Sequence, residues 1–470
     1  QAIWFKQFWR KPFCSGILTA WKYRTSYSSR AMRGRGLLLL VAALRGCSAC
    51  TYFELNTTGS RKEVVIGRTM EFDTVRGITD WRLHVSPACT FDFGANRTAQ
   101  ENGFLCGAHR GPARHGHVAF VMNLPMLKGV EMEGMNEQGL TCAALSQYRA
   151  EYQSCESRGS KKFVSSLLFC RWVLSNFELV DQVRDAVLHD VIVSNEYLTG
   201  KRLNETFSFH WAIADAQGGS IVVEYERGEP RVYNNSVGVL TNDPSYPWHV
   251  ENLNTYSWLA ARADQDERAA ELAVPTGDLL PGQSVVPWNL NHGFNTGGLP
   301  GDPSPRSRFV RAFYVRQIAQ LNNKVDGEGL WGWYALAQAI LNNVFVPMGW
   351  TGQNPNLVDK SDHTTWATLR VPQTRVFAFR SYFDLQWKFV DLARLDLTRE
   401  LFLTLPHQGP ASASSMNVVD MTGDLNHRAG PALSETMAAT KPRSFLERPL
   451  ASDESVSFLE SHASLVHHEM

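Results

Sequence analysis

Hydrophobic positions along this chain change period several times, and each change marks an element. Thr51–Leu55 alternates apolar and polar residues and runs into a polar turn, Asn56–Lys62. Glu63–Arg68 then reads as the return strand of a hairpin. His117–Asn123 and Leu140–Leu145 predict further short strands, with Gly134–Gly139 as the turn between them. Over Lys162–Val191 the period becomes helical. Val164, Leu167, Leu168 and Trp172, then Val180, Val183 and Val187, predict two consecutive amphipathic helices. Strands return at His210–Asp215 and Ser220–Tyr225, split by a Gln217-Gly218-Gly219 turn, and Gly238–Leu240 runs into Thr241-Asn242-Asp243-Pro244. Residues 260–305 show no period and carry several glycines and prolines, which predicts an extended loop. Arg308–Leu321 and Gly329–Val344 predict helices. Thr365–Leu369, Arg375–Tyr382 and Trp387–Asp391 predict a last group of strands. From residue 407 the composition drifts to Ser, Ala, His and Glu, so 407–470 reads as a disordered tail. Strands and paired helices in this alternation fit sheets held between helical layers.

The start of the chain follows a different grammar. Arg30, Arg33 and Arg35 precede an unbroken apolar run, Leu37–Leu44, and small residues stand at Cys47 and Ala49. This is the arrangement of a signal peptide, here 32–49 with Met32 as initiator, and cleavage after Ala49 would leave Cys50 first. Residues 1–31 begin at Gln1 and hold Trp4, Phe5, Trp9 and Trp21 among basic residues; they read as an upstream extension. If they belong to the native protein, the apolar run could serve as an internal anchor. It is far shorter than the roughly 18 residues needed to span a bilayer. The expected domain is 50–406, in a secreted or lumenal protein, the vacuolar or lysosomal lumen included. Four sequons, at Asn56, Asn96, Asn204 and Asn234, fit that route.

Charge and cysteines narrow the picture further. The chain has 46 basic and 46 acidic residues, a balance that argues against a nucleic-acid or polyanion partner. Eight cysteines are present, and Cys14 and Cys47 precede the expected cut. Of Cys50, Cys89, Cys106, Cys142, Cys155 and Cys170, the pair Cys89–Cys106 flanks a turn-rich segment and is the easiest to join. Spacing alone assigns no connectivity. Cys142 lies in an apolar strand and reads as a buried thiol. His115-Gly116-His117 resembles a metal pair without a partner cluster, and His210 at a strand start reads as structural. No metal and no cofactor is expected.

Cys50 is the residue that carries chemistry. A cysteine near a signal junction is more often incidental or half of a disulfide. With a free α-amine, however, it can be nucleophile and base in one residue. The thiol titrates near ~8.5 and the amine near ~7.7–8.0, so the amine can take the thiol proton and later hand it to a leaving nitrogen.

Several segments together resemble the choloylglycine hydrolase family, which includes bile salt hydrolases and penicillin V acylases. They are Cys50-Thr51, Ile66–Phe72, Gly134–Leu140, His210–Asp215, Ile221–Tyr225, Leu240–Pro244, Gly298–Asp302 and Ser307–Arg311, in the family's order. The resemblance implies an α+β fold, a four-layer αββα sandwich of the N-terminal-nucleophile hydrolase type. It also implies cleavage of a non-peptide linear amide by a small-molecule amidase that needs no cofactor. It makes Cys50 the nucleophile, Arg68 its neighbouring guanidinium, Asn242 the oxyanion asparagine and Arg308 a charge-stabilising arginine. Glu71 falls where the family carries Asp, one methylene shorter, and Asp73 on the same strand face could compensate. Ser146 falls where the family carries Asn or Tyr and supplies a backbone N–H as second oxyanion donor. Relatives are often tetramers, which implies a homo-oligomer. Two other readings stay open: an acid-ceramidase-like amidase of N-acyl lipids, and a catalytically silent binding protein on the same fold.

Overall fold

A computed structural model describes residues 49–57, 62–72, 81–88, 90–92, 110–122, 129–196, 208–257, 259, 296–321, 329–351, 362–405 and 419–423. Among these residues two large sheets face each other. The seven-stranded sheet runs in the order Val239–Leu240, Ala49–Asn56, Val64–Phe72, His363–Val371, Val376–Ser381, Asp384–Asp391, Val419–Asp420. The eight-stranded sheet runs Glu229–Asn234, Ser220–Glu226, Phe209–Ala214, Thr141–Ser146, Val130–Asn136, His117–Met122, Trp81–Ser86, Leu401–Thr404.

Strand alternation sorts side chains into two cores. Cys50, Tyr52, Ile66, Met70, Trp366 and Phe377 of the first sheet pack with Leu83, Phe120, Leu145 and Trp211 of the second, and with Phe169 and Leu174 beyond it. The odd-numbered neighbours Phe53, Leu55, Val65, Ala367 and Leu369 turn to the opposite face and pack on Phe309, Tyr314, Trp333 and Leu341. Those belong to helices Pro305–Leu321 and Gly329–Val344. The layers are therefore helix, sheet, sheet, helix, the expected αββα sandwich. Gly67 is required where the first two strands cross this core: a Cβ there would stand 2.4 Å from Phe53 Cζ.

Three expectations shift. Lys162–Val191 is not helical throughout. Its ends, Lys162–Ser165 and Val191–Ser194, are strands paired parallel with each other, around helices Phe169–Asn176 and Val180–Asp185. Their β-branched apolar runs pack as short buried strands, which a helical period masks. The turn placed at Gly134–Gly139 is tighter, because Gly134-Met135-Asn136 completes the strand Val130–Asn136. Asn136 closes that turn by accepting from the N–H groups of Gln138 and Leu140, each at 3.0 Å. Finally, Val419–Asp420 adds a parallel strand beside Lys388–Phe389 with Met421 buried, so part of the expected tail belongs to the fold. The rest of 407–470, residues 1–48, most of the 260–305 loop, Asp73, Cys89, Cys106, Asn96 and Asn204 lie outside the described residues. Cys155 is disulfide-bonded, whereas Cys50, Cys142 and Cys170 are free and buried.

Candidate active site

Cys50 sits on the second residue of the strand Ala49–Asn56, fully buried, opposite Met70 in the antiparallel register. Its side chain points between the sheets, as do Arg68 and Met70 two residues apart on the neighbouring strand. Arg68 Nη2 stands 3.7 Å from the Cys50 sulfur, and Met70 sulfur lies 3.5 Å away. Arg68 is itself anchored: Nη1 donates to Met132 O at 2.7 Å and to Glu133 Oε2 at 2.8 Å, and Nη2 donates to Ala144 O. Its guanidinium lies 5.0 Å over the Trp366 ring.

The backbone of Cys50 is held from other elements. Its N–H donates to Asn242 Oδ1 at 2.7 Å. In the uncut chain this nitrogen is a peptide amide; it stands where the α-amine would be after cleavage at Ala49. Arg308, from the first turn of its helix, donates through Nη1 to Cys50 O at 2.5 Å and to Thr51 Oγ1 at 2.6 Å, and through Nη2 to Asn242 Oδ1 at 2.9 Å. Asn242 Nδ2 donates to Ser146 O at 2.9 Å, which engages one of its two amide hydrogens. Ser146 thus joins the site through its carbonyl.

Glu71 faces the helical side, as the alternation dictates. It accepts from Thr364 Oγ1 at 2.7 Å and lies 3.9 Å from Arg308 Nη1. Thr364 reaches it because a bulge between Thr364 and Trp366 shifts the strand register by one residue. The Cys50 nitrogen therefore goes to Asn242, and Glu71 reaches the site by way of Arg308. Its Oε2, the oxygen nearest Arg308, has no hydrogen-bond partner among the described residues.

Burial sets the electrostatics. It pushes the Cys50 thiol up; Arg68 pulls it back, Glu71 adds to the rise and Arg308 opposes it. Burial also raises Glu71, against the pull of Arg308 and Thr364. The same burial lowers Arg308, which Glu71 and the thiol partly restore. In the uncut chain the nucleophile candidate is thus a protonated thiol beside a reluctant carboxylate.

Sequence reasoning missed three supports. Glu133 pairs with Arg68. Thr364 pairs with Glu71. His249 Nε2 meets Asn242 O at 2.8 Å and stacks on Phe309, and burial lowers its pKa to about 3, so it is neutral there. Only Glu133 stood beside a segment that carried the resemblance, directly before Gly134–Leu140. His210 is structural as expected, bridging Glu224 Oε1 at 2.8 Å and Thr241 O at 2.9 Å, and so fixing the segment that presents Asn242. His117, in contrast, does have partners. His84, His117 and Glu131 are the group among the described residues whose ligand atoms fall within a metal's reach, 4.8 Å of one another. Glu131 already accepts from Arg171 Nε at 2.7 Å and meets both imidazoles at 3.0 Å, so a guanidinium takes the cation's place.

A cysteine at the head of an inner strand of an αββα sandwich, with an arginine at its sulfur and an asparagine at its nitrogen, defines a thiol hydrolase of the N-terminal-nucleophile class. The chain belongs to the linear amide C–N hydrolases of the choloylglycine hydrolase family, whose model matches residues 50–405. It is similar to a bile salt hydrolase/transferase of Clostridium perfringens, 30% identical over 285 residues, covering 61% of this chain and 79% of that protein. A conjugated bile acid hydrolase of Lactobacillus acidophilus is 32% identical over 184 residues, 38% of this chain and about half (52%) of the relative. Among solved structures, a cysteine-to-alanine mutant of the conjugated bile acid hydrolase from Clostridium perfringens superposes with a TM-score of 0.61 at 26% identity, over 78% of this chain and all (100%) of that one. Penicillin V acylase from Agrobacterium tumefaciens shares the fold at a TM-score of 0.52 and 20% identity, over 81% and 98% of the two chains.

Proposed function

We propose that this linear amide hydrolase, cut before Cys50, cleaves N-acyl amides through a thioester on Cys50. The Cys50 sulfur attacks the amide carbonyl while its own amine accepts the thiol proton. The C–N bond breaks, the amine leaves with that proton, and water hydrolyses the thioester to free the acid. Arg68 favours the thiolate, Asn242 donates its remaining amide hydrogen to the oxyanion, and Arg308 with Glu71 holds the backbone of Cys50. One observation carries the reading: the Cys50 nitrogen and sulfur are each met by a different buried polar group, Asn242 at 2.7 Å and Arg68 at 3.7 Å. A disulfide half needs neither.

The substrate class is a conjugated-bile-acid-like, N-acyl amino acid or penicillin-V-like amide. The relatives' activities favour the first, and Ser146 gives this pocket a smaller wall than Asn or Tyr would. The compartment belongs to the same proposal. The signal-peptide grammar supports a secretory route, as do the disulfide at Cys155 and the exposure of Asn56 and Asn234. The homo-oligomer implied by the resemblance is read by sedimentation of the purified protein.

The test is a panel of glycine- and taurine-conjugated bile acids, N-acyl amino acids and penicillin V, assayed with wild type and Cys50→Ser. Wild type should turn over at least one class, and the variant should lose about a thousandfold or more in kcat. Peptide mapping of the protein secreted from a eukaryotic host should find Cys50 first. Full hydrolysis by the serine variant, or a mature chain that begins elsewhere, would sink the mechanism.

A further inference from the structure

On the inter-sheet face two arginines share one carboxylate. Glu133 Oε2 accepts from Arg68 Nη1 at 2.8 Å, and Glu133 Oε1 lies 3.3 Å from Arg370 Nε and accepts from Thr368 Oγ1. All three charged side chains have no exposure at all. A buried guanidinium is rigid only when its fork is filled. Here Met132 O and Glu133 fill the Nη1 side of Arg68, and that leaves the Nη2 edge presented to Ala144 O and the Cys50 sulfur. Two fixed cations against one anion leave the region one negative charge short, the charge that a thiolate supplies.

We propose that Glu133 is the positioning residue of this active site: it aims Arg68 at the nucleophile and limits how strongly Arg68 and Arg370 favour the thiolate. This rests on Cys50 being the nucleophile. The other titratable groups that face the region are Tyr52 on the strand of Cys50, Cys142 on Thr141–Ser146, and Glu71 and Arg308 across the first sheet. Each is present in wild type and variant alike, so a change at position 133 isolates Glu133.

Glu133→Gln keeps an acceptor for Arg68 and removes the charge. In the mature enzyme the acid limb of kcat/KM should move to lower pH by about half a unit or more, since an uncompensated cation pair favours the thiolate. The pH profile of iodoacetamide labelling at Cys50 should move with it. A purely structural role would lower the melting temperature and leave both profiles in place, so superimposable profiles overturn the proposal. Glu133→Asp keeps the charge but shortens the arm. It should lower kcat by about tenfold or more with KM nearly unchanged, because Arg68 is no longer aimed. A folded Glu133→Asp enzyme with wild-type kcat overturns the proposal even if Glu133→Gln fails to fold. Should wild type hydrolyse none of the amides, the parent reading fails, while the labelling profile still decides the part played by Glu133.

Discussion

Two of the buried charge clusters among the described residues are built to opposite ends. In the cluster of Glu131, His84, His117 and Arg171, both carboxylate oxygens are engaged. Burial opposes ionisation of Glu131, yet Arg171 and the two histidines outweigh it and hold the carboxyl well below its ordinary range. Around Cys50 the balance tips the other way. Burial wins at the thiol and at Glu71, and one oxygen of Glu71 has no hydrogen-bond partner among the described residues. The first cluster stabilises the eight-stranded sheet. The second costs stability and holds reactive groups ready, the pattern expected where binding or chemistry is to be done.

The contrast can be broken at either end. Glu131→Ala removes the buried carboxylate that Arg171 and the two histidines share, and should lower unfolding stability by about 3–5 kcal/mol in urea, with kcat per folded molecule unchanged. Because the folded pKa of Glu131 is depressed, its contribution is complete above the ordinary value of 4.5 and lost as pH falls through the folded value. Wild-type and variant stabilities should therefore converge in acid. A constant gap down to the lowest pH at which the protein folds would show that Glu131 acts by packing alone.

Asn242→Ala should cost roughly a hundred- to a thousandfold in kcat, the usual loss for one oxyanion donor. It should do so without the acid sensitivity of the first variant. The smallest effect has the opposite sign. Burial raises the folded pKa of Glu71, so its contribution is complete below the ordinary value of 4.5 and lost as pH rises through the folded one. Glu71→Gln should stabilise the protein, on the order of 1 kcal/mol, while lowering activity. A Glu71→Gln protein that is less stable at pH 7 would place Glu71 with the structural cluster.

The sequence made some of this legible and hid the rest for physical reasons. Cys50, Arg68, Asn242 and Arg308 were named from their motifs, and the structure gathers the other three around Cys50. The strands Val64–Phe72 and Phe209–Ala214 announced themselves by pattern. Trp81–Ser86 and Leu401–Thr404, which pair across more than 300 residues of chain, did not. Thr364 escaped for a related reason. Its meeting with Glu71 depends on a one-residue bulge far along the chain, which no local period encodes. Glu133 was in view within a quoted motif's flank, but only the fold shows that two arginines converge on it. The two helices expected over Lys162–Val191 were right at their centre and wrong at their ends, where burial on all sides erases the alternation that distinguishes a strand.

The short strand Val419–Asp420 has a consequence of its own. It lies along Asp384–Asp391, Met421 N–H donates to Phe389 O at 2.8 Å, and Thr422 Oγ1 accepts from Asp391 N–H at 3.0 Å. Without it the seven-stranded sheet would end in a row of open backbone groups beside half-buried Phe389, a template for pairing with another chain. Among the described residues this short strand thus acts as a selvedge that keeps the sheet from knitting onto its neighbours. A chain shortened to residue 406 would lose that protection while keeping every group that surrounds Cys50.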